Sequence, residues 1–286
     1  MMNFLTLTTV PIDVLAGNGE AISKATGFFY ESQNSELFLI TNWHVVTGRH
    51  PSTPAQSKSG AVPCVLRCKL HARQKSEGGI RLGQLMQLDV TVNSEDGNSP
   101  EWLEHSDHRH RVDVVAMKVD KRQELEDQCT FHILNRCKDF EQKYKHEVMD
   151  DIFVIGYPWG LSSSGGALPV YKRGSIASEP VIDYLGFPRF LVDCRTAPAM
   201  SGSPVIVEHS GIWKPTKGAV AGDTIMGTLT NFIGVYSGRL LSQDALDIPQ
   251  DEVSEIGIVW KKEALDAIVN NGVVGTSLDA MIKLGS

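Results

Sequence analysis

The chain has 286 residues, and its shares of 42% hydrophobic and 21% charged residues exclude an intrinsically disordered protein. Lys and Arg number 27 against 34 Asp and Glu. The resulting net charge of −7 excludes nucleic-acid binding through a general basic field, because that affinity comes from clustered cations. The 26 glycines and 13 prolines favour a loop-rich β protein over a helical bundle.

The cysteines and the N-terminus predict a protein of the reducing cytoplasm. Five cysteines are an odd and sparse number for a disulfide scaffold, so reduced thiols are expected. They are Cys64, Cys68, Cys129, Cys137 and Cys194. The first residues lack the basic and apolar regions of a signal peptide, and no apolar run approaches the roughly 18 residues of a membrane span. We therefore expect neither a membrane nor a nucleic-acid partner.

Short apolar runs between turn residues predict strands through the first half of the chain. Residues 25–30 and 36–40 form a predicted hairpin joined by residues 32–35. Further strands are predicted at 62–70, 85–92 and 112–119. Polar stretches at 122–127 and 139–146 have some helical spacing, and we expect them to cross the surface between two halves.

The second half restarts the strand pattern and ends in a helix. A strand at 152–155 precedes a turn at 156–160, where Gly and Pro fix the backbone. Further strands are predicted at 170–176, 190–194, 204–207, 231–237 and 255–260. Residues 261–270 have helical apolar spacing, and Gly272 just beyond them is a stop signal.

Two clusters of short strands predict two packed antiparallel β-barrels within a single domain, 1–286. The expected boundaries are 1–125 for the first barrel, 148–260 for the second and 261–271 for the terminal helix. Segments 49–60 and 272–286 are expected to be loops or tails.

Three stretches carry residue types that catalysis uses. An apolar strand that begins at Phe38 ends in His44, and Asp113 opens another apolar strand. Ser201 lies in a loop of small residues just before a strand, with Gly202 beside it. Acyl transfer by serine needs a base for the hydroxyl proton, a group that orients the base, and backbone N–H groups for the oxyanion. These residues could supply all three.

The stretches resemble the His, Asp and Ser motifs of chymotrypsin-fold serine peptidases, and they follow that family's order along the chain. TNWHVV at 41–46, VIGYPWGL at 154–161 and GSIAS at 174–178 are closest to the HtrA-like prokaryotic branch, and we expect no appended PDZ domain. SGSP at 201–204 is similar to several viral relatives. The resemblance covers roughly 25–270. It implies an all-β, chymotrypsin-like fold of two packed six-stranded antiparallel β-barrels with a C-terminal helix.

The resemblance implies a serine endopeptidase that cleaves a protein substrate through an acyl-enzyme. His44 would be the general base, Asp113 its orienting group and Ser201 the nucleophile. The backbone N–H groups of Ala199 and Ser201 would form the oxyanion hole. The residues implied to pair with an extended substrate by β-augmentation are Ser237, Gly238 and Arg239.

Two departures from the family pattern bear on activity. Met200 stands where zymogen-activated relatives carry an Asp for a newly cut N-terminus, so that activation is not expected here. Ala199 stands where the family usually has Gly, and a β-carbon makes a positive φ costly by about 1–2 kcal/mol. We therefore expect activity gated by ordering of this loop, with the substrate or a regulatory protein partner. The alternative is an inactive peptidase-fold module that binds extended peptides or a partner protein.

Several residues keep more than one interpretation. Asp107 lies close to Asp113, but only Asp113 directly precedes an apolar strand. The histidine-rich stretch 105–110 lacks the spacing of known metal motifs, so a polar loop is preferred and no metal or cofactor is expected. Arg195 and Arg239 either face the cleft, where they would favour acidic substrates, or are solvated.

Overall fold

The computed structural model describes residues 2–57, 59–73, 80–137, 146–163, 167–213, 225–240 and 255–284. Its strands lie mainly in two sheets, one from each half of the chain. The expected all-β class with a small C-terminal helix is confirmed, and the second half forms the expected six-stranded barrel. The expectation of a six-stranded barrel in the first half was wrong, because its strands belong to a nine-stranded sheet in which late residues of the chain add a strand. Within the described ranges, no helix is both long enough and apolar enough to cross a membrane.

The first half contributes ten strands. They are β1 Thr9–Ala16, β2 Ala21–Glu31, β3 Leu37–Thr41, β4 Arg49–His50, β5 Thr53–Ser57, β6 Pro63–Arg73, β7 Ile80–Thr91, β8 Leu103–Glu104, β9 Val115–Lys118 and β10 Cys129–Thr130. All except β4 and β5 belong to one antiparallel sheet, in which β10, β6, β1, β2, β3, β9 and β8 are successive neighbours and β7 pairs with β6. Its strands alternate buried and partly exposed positions, as β6 does over Cys64 to Leu70, because one face packs on a core.

The second half forms a closed six-stranded barrel. Its strands are β11 Asp151–Gly156, β12 Val170–Ile176, β13 Arg189–Asp193, β14 Pro204–Trp213, β15 Ile225–Arg239 and β16 Ile256–Lys261. They run around the barrel in the order β11, β12, β13, β16, β15 and β14. Closure pairs β14 with β11, so the barrel has no free edge except where strands extend beyond their partners.

Short 3-10 helices are described at Phe4–Leu7, Leu134–Arg136, Pro158–Gly160 and Tyr184–Gly186. Four α-helices and one further strand are also described. They are α1 Trp43–Thr47, α2 Arg122–Gln128, α3 Lys262–Asn271, β17 Val273–Val274 and α4 Leu278–Lys283. The predicted terminal helix is α3, and α2 lies where helical spacing was predicted at 122–127. Most of the other predicted stretch, 138–145 within 139–146, lies outside the described residues.

A central hydrophobic cluster joins the two sheets. It combines Phe28, Phe38 and Ile40 of the first half, Ile206, Val235 and Trp260 of the barrel, and Leu265 and Ile268 of α3. Strand β2 serves two cores, since Phe29 packs in the first-half core while its neighbours Phe28 and Tyr30 face the central cluster. The relative placement of the two sheets therefore depends on close packing of side chains from both.

Two segments predicted to be loops or tails are ordered elements. Within 49–60, β4 and β5 pair as a small antiparallel ribbon. After Gly272, β17 pairs with β8, Ser277 caps α4 through its side chain, and Met281 is buried in the first-half core. Both predictions were wrong because β4, with the sequence RH, and β5, with TPAQS, contain no run of apolar residues, and β17 has only two residues, so no apolar period marks these elements.

Replacement of Leu265 by alanine tests the central cluster. Leu265 is fully buried, so Leu265→Ala should leave a cavity between the sheets and lower the free energy of unfolding by about 2–5 kcal/mol. The measurement is the midpoint of urea unfolding, with tryptophan fluorescence as the probe. Asn271→Ala, at an exposed position of the same helix, is the control and should leave the midpoint near that of the parent chain. An equal midpoint for both variants would contradict the role of the cluster.

Candidate active site

His44 and Asp113 contact each other through two hydrogen bonds. Strand β3 ends at Thr41, and the following single-turn helix α1 holds His44 in its first turn, so His44 is not at a strand end as predicted. The His44 backbone N–H donates to Asp113 Oδ1 at 2.8 Å, and His44 Nδ1 lies 2.7 Å from Asp113 Oδ2. Asn42 fixes the same segment by donating from Nδ2 to the Asp113 carbonyl at 2.6 Å. The imidazole is thus fixed both at its ring and at its backbone.

Ser237 links this pair to Ser201. The Ser237 hydroxyl donates to Asp113 Oδ2, and the Ser201 hydroxyl donates to the Ser237 carbonyl at 3.0 Å. Asp113 is 3% exposed, so its carboxylate accepts these hydrogen bonds largely away from water. One hydrogen-bonded network therefore connects His44, Asp113, Ser237 and Ser201, although these residues come from both halves of the chain.

The loop that carries Ser201 is fixed against β2. The Thr26 backbone N–H donates to the Ser201 carbonyl at 2.9 Å, and the Gly202 N–H donates to the Tyr236 carbonyl at 3.0 Å. Gly202 has a φ of 85°, a conformation that favours glycine. Met200 is fully buried in the barrel core, which explains an apolar residue next to Ser201.

Ala199 has a φ of 71°, as expected for an oxyanion loop, despite its β-carbon. The Trp159 backbone N–H donates to the Pro198 carbonyl at 2.7 Å. Because a trans peptide directs its C=O and N–H in opposite directions, the Ala199 N–H points away from Trp159. The Thr26 hydroxyl donates to the Ala199 carbonyl at 2.9 Å and accepts from the Tyr157 N–H at 3.1 Å. Both peptides that flank Ala199 are therefore oriented by neighbours.

Near Ser201, the end of β15 has one backbone edge that is not paired with β14. Its pairing with β14 ends at Val235, whereas Gly238 and Arg239 still pair with β16 on the other side. Arg239 turns its guanidinium inward, and Nη2 donates to the Thr196 carbonyl at 2.6 Å. Arg195 instead extends outward: its side chain is 81% exposed, and its Nε lies 3.5 Å from Glu255 Oε1.

The histidine-rich stretch forms a polar turn. His105 Nδ1 accepts the backbone N–H groups of Asp107 and His108, at 3.2 and 3.3 Å. Asp107 is exposed and accepts from the Ser106 hydroxyl, whereas Asp113 contacts His44. Within the part of the chain that the structure describes, no three His, Cys, Asp or Glu side chains are arranged to hold a metal ion.

Sequence reasoning missed three contributions to the site. It assigned Ser237 only a backbone role and gave none to the hydroxyl of Thr26 or the backbone of Trp159. One signal was present for Thr26, which is the one threonine within the apolar run 25–30. The Trp159 contact offers no such signal, because any residue type has a backbone N–H.

The family of trypsin-like peptidase domains matches residues 25–211. The chain belongs to this family. The match spans more than half of the chain and includes His44, Asp113 and Ser201. The resemblance to serine peptidases of the chymotrypsin fold is therefore confirmed. No curated protein matches this trypsin-like chain in sequence.

Several solved proteases are similar to this trypsin-like peptidase domain. The active form of the Rv3671c protease from M. tuberculosis has a TM-score of 0.47 and 16% identity, over 97% of this chain and 86% of that one. A variant of the HtrA-type protease AlgW with a tripeptide has a TM-score of 0.47 and 14% identity, over 93% and 61%. The thermostable serine protease AL20 from an extremophilic microorganism has a TM-score of 0.46 and 10% identity, over 93% and 97%.

The cysteines of this trypsin-like domain are free, as predicted, and all five are buried. Cys194 lies at the end of β13, next to the segment that leads to Ser201, and its Sγ donates to the Lys172 and Arg173 carbonyls at 3.8 and 3.6 Å. Burial raises the pKa of the Cys194 thiol to about 11. The thiol is therefore neutral near pH 8, which makes it a poor nucleophile.

Alkylation of the thiols tests this burial. In the folded chain at pH 8, iodoacetamide should modify Cys194 at least tenfold more slowly than in guanidinium chloride, because only the exposed thiolate reacts. Peptide mass spectrometry over time gives the rate at each cysteine. Folded and unfolded chains that react equally fast at Cys194 would contradict the buried thiol.

Proposed function

We propose that this trypsin-like domain is a serine endopeptidase that hydrolyses peptide bonds of a protein substrate through an acyl-enzyme. The observation that carries the proposal is that Ser237 contacts both sides of the site, since its hydroxyl donates to Asp113, the partner of His44, and its backbone carbonyl accepts from the Ser201 hydroxyl. Membership of a family of peptidase domains supports the same class of reaction.

In this mechanism Asp113 holds His44 with Nδ1 protonated, because a carboxylate 2.7 Å away accepts that proton's hydrogen bond. His44 Nε2 is then the basic nitrogen that takes the Ser201 hydroxyl proton as Oγ attacks the substrate carbonyl. The same proton passes to the leaving amine when the C–N bond breaks, and the acyl group remains on Ser201. Water then attacks the ester carbonyl and gives a proton to His44, which passes it to Ser201 Oγ as the ester C–O bond breaks and the acid is released.

The Ser201 hydroxyl must turn before it reacts. In the free chain it donates to the Ser237 carbonyl. A substrate that pairs with Ser237, Gly238 and Arg239 would bring its own N–H to that carbonyl by β-augmentation. Loss of this acceptor would favour rotation of the Ser201 hydroxyl toward His44. Substrate binding and activation of the nucleophile are therefore coupled.

Ordering of the oxyanion loop is the second requirement. The N–H groups of Ala199 and Ser201 would donate to the oxyanion, and the positive φ of Ala199 costs about 1–2 kcal/mol. The hydrogen bonds from Thr26 and Trp159 support this conformation in the free chain. We infer that these contacts provide the order on which activity depends.

Ser201→Ala tests the nucleophile. The parent chain should be labelled by a fluorophosphonate probe and should hydrolyse a casein substrate, and Ser201→Ala should lose labelling and at least 10³-fold in hydrolysis. Ser210→Ala, which removes an exposed hydroxyl of β14, is the control and should behave as the parent chain. A folded parent chain that is neither labelled nor active, yet binds unstructured casein, would favour the inactive binding module.

Thr26→Val tests the oxyanion loop. Valine keeps the shape of threonine but removes the hydrogen bonds to Ala199 and Tyr157. We expect kcat to fall about 10²-fold with KM changed less than threefold, because the loss falls on the transition state. Thr26→Ser retains the hydroxyl and should recover most of the activity. Equal activity of the valine and serine variants would contradict the role of this hydroxyl.

A further inference from the structure

Arg239 bridges the two chain segments that meet at Ser201. It ends β15, and its Nη2 donates to the Thr196 carbonyl at 2.6 Å. Thr196 belongs to the segment that leads into the oxyanion loop, five residues before Ser201. The guanidinium therefore lies between the segment 195–199 and the strand end 237–239, on the side of the network where Ser201 is placed.

The side chain of the cleaved residue must enter the same space, if the proposed function holds. Three anchors fix that residue: its carbonyl carbon at Ser201 Oγ, its carbonyl oxygen at the Ala199 and Ser201 N–H groups, and its own N–H at the Ser237 carbonyl. The first two anchors belong to the nucleophile loop and the third to β15. The side chain between them is directed into the gap that Arg239 bridges.

The other walls of this gap are neutral. Thr196, Tyr236 and Cys194 are each at most 4% exposed, and the Thr196 and Tyr236 hydroxyls are hydrogen-bonded to each other. Burial raises the pKa of Tyr236 to about 12, so its phenol is uncharged at neutral pH. Arg239 is the cation whose hydrogen bond places it across this gap, and the charged groups that act on the Cys194 wall are Lys172 and Asp193, of opposite sign.

Arg239 also keeps most of its hydrogen-bonding capacity. A guanidinium has five N–H donors, and the Thr196 carbonyl accepts from one nitrogen. Among the described residues, no carboxylate lies within 4.0 Å of this guanidinium, in contrast to that of Arg195 near Glu255. Because Arg239 is partly buried, a carboxylate that reached it would form a charge-assisted pair with less competition from water.

We propose that Arg239 selects substrates with glutamate or aspartate at the cleaved position, by pairing with the side-chain carboxylate. The proposal rests on the proposed function, since it uses the same anchors for the substrate backbone. Arg239 is a specificity-determining residue in this scheme and takes no part in proton transfer. Arg195 points outward and does not contact the side chain of the cleaved residue in this scheme.

The test compares peptides that differ only at the cleaved residue, with Glu, Gln, Ala or Leu at that place. The parent chain should hydrolyse the Glu peptide about 10–10²-fold faster than the Gln peptide in kcat/KM, since a hydrogen bond to a charged group exceeds one to an amide. Arg239→Ala should lose this preference, measured within the variant as the ratio of kcat/KM for the Glu peptide to that for the Gln peptide. Raising NaCl from 0.05 to 0.5 M should also reduce the preference, as expected for an ion pair.

Two variants serve as comparisons. Arg67→Ala removes an exposed guanidinium that pairs with Asp89 in the first sheet, and it should leave the preference unchanged. Arg195→Ala should likewise leave it unchanged, and a loss of preference in Arg195→Ala rather than Arg239→Ala would overturn the assignment. Faster hydrolysis of the Leu peptide by Arg239→Ala, with no preference for Glu in the parent chain, would show that Arg239 only blocks the gap.

Binding separates this proposal from the proposed function. Calorimetry with Ser201→Ala should show tighter binding of the Glu peptide than of the Gln peptide, and this requires no catalysis. If the parent chain hydrolyses no peptide but Ser201→Ala still binds the Glu peptide more tightly than the Gln peptide, the proposed peptidase function is contradicted and the proposed recognition by Arg239 is supported. Hydrolysis or binding with no difference between Glu and Gln would overturn the recognition alone. Fluorophosphonate labelling of Arg239→Ala shows that its fold is intact.

Discussion

The buried carboxylate of Asp113 is the group on which the geometry of the site depends. It accepts hydrogen bonds from the backbone and ring of His44, in the first half, and from the hydroxyl of Ser237, at the end of β15. A buried carboxylate is costly unless its oxygens are satisfied, so the three donors are strongly favoured in their observed places. The Asp113 carboxylate therefore fixes the position of α1, which holds His44, relative to the end of β15 in the barrel.

The nucleophile loop is held in a different way, through β2. Thr26 donates its backbone N–H to Ser201 and its hydroxyl to Ala199, while Phe28 and Phe29, on the same strand, pack into two cores. The loop is thus held by a strand of the first sheet as well as by β15 of its own barrel, where the Gly202 N–H donates to the Tyr236 carbonyl. A shift between the two sheets would move Ser201 relative to His44, so the packing of the central cluster and the chemistry of the site are linked.

Sequence alone predicted the larger elements and the residues that converge, because these have strong local signals. Strand β12 was predicted over 170–176 and the helix α3 to within a residue at each end, since both have clear periods and turn signals. The short elements β17 and α4 were not predicted. Their positions are decided by partners distant in sequence, and β8, nine strands before β17 along the chain, is one of them.

The contacts that complete the site were harder to predict for a different reason. The hydrogen bond from Trp159 to Pro198 joins two backbones, so the residue types do not report it. The sequence does not show which of Arg195 and Arg239 faces the cleft, because both are charged residues near a turn. Their difference comes from the fold: one ends a paired strand that faces Thr196, and the other lies at an exposed edge.

The two positive φ angles beside Ser201 show why a glycine is needed at one position and an alanine suffices at the other. At Gly202, a β-carbon would lie 2.2 Å from the Thr26 carbonyl oxygen and 2.4 Å from Thr41 Oγ1, and these atoms belong to the sheet that positions the loop. The backbone cannot yield there without moving Ser201. At Ala199, the cost is the conformational strain alone, about 1–2 kcal/mol, which is comparable to the net contribution of one or two hydrogen bonds. The contacts from Thr26 and Trp159 are therefore of the right size to offset it.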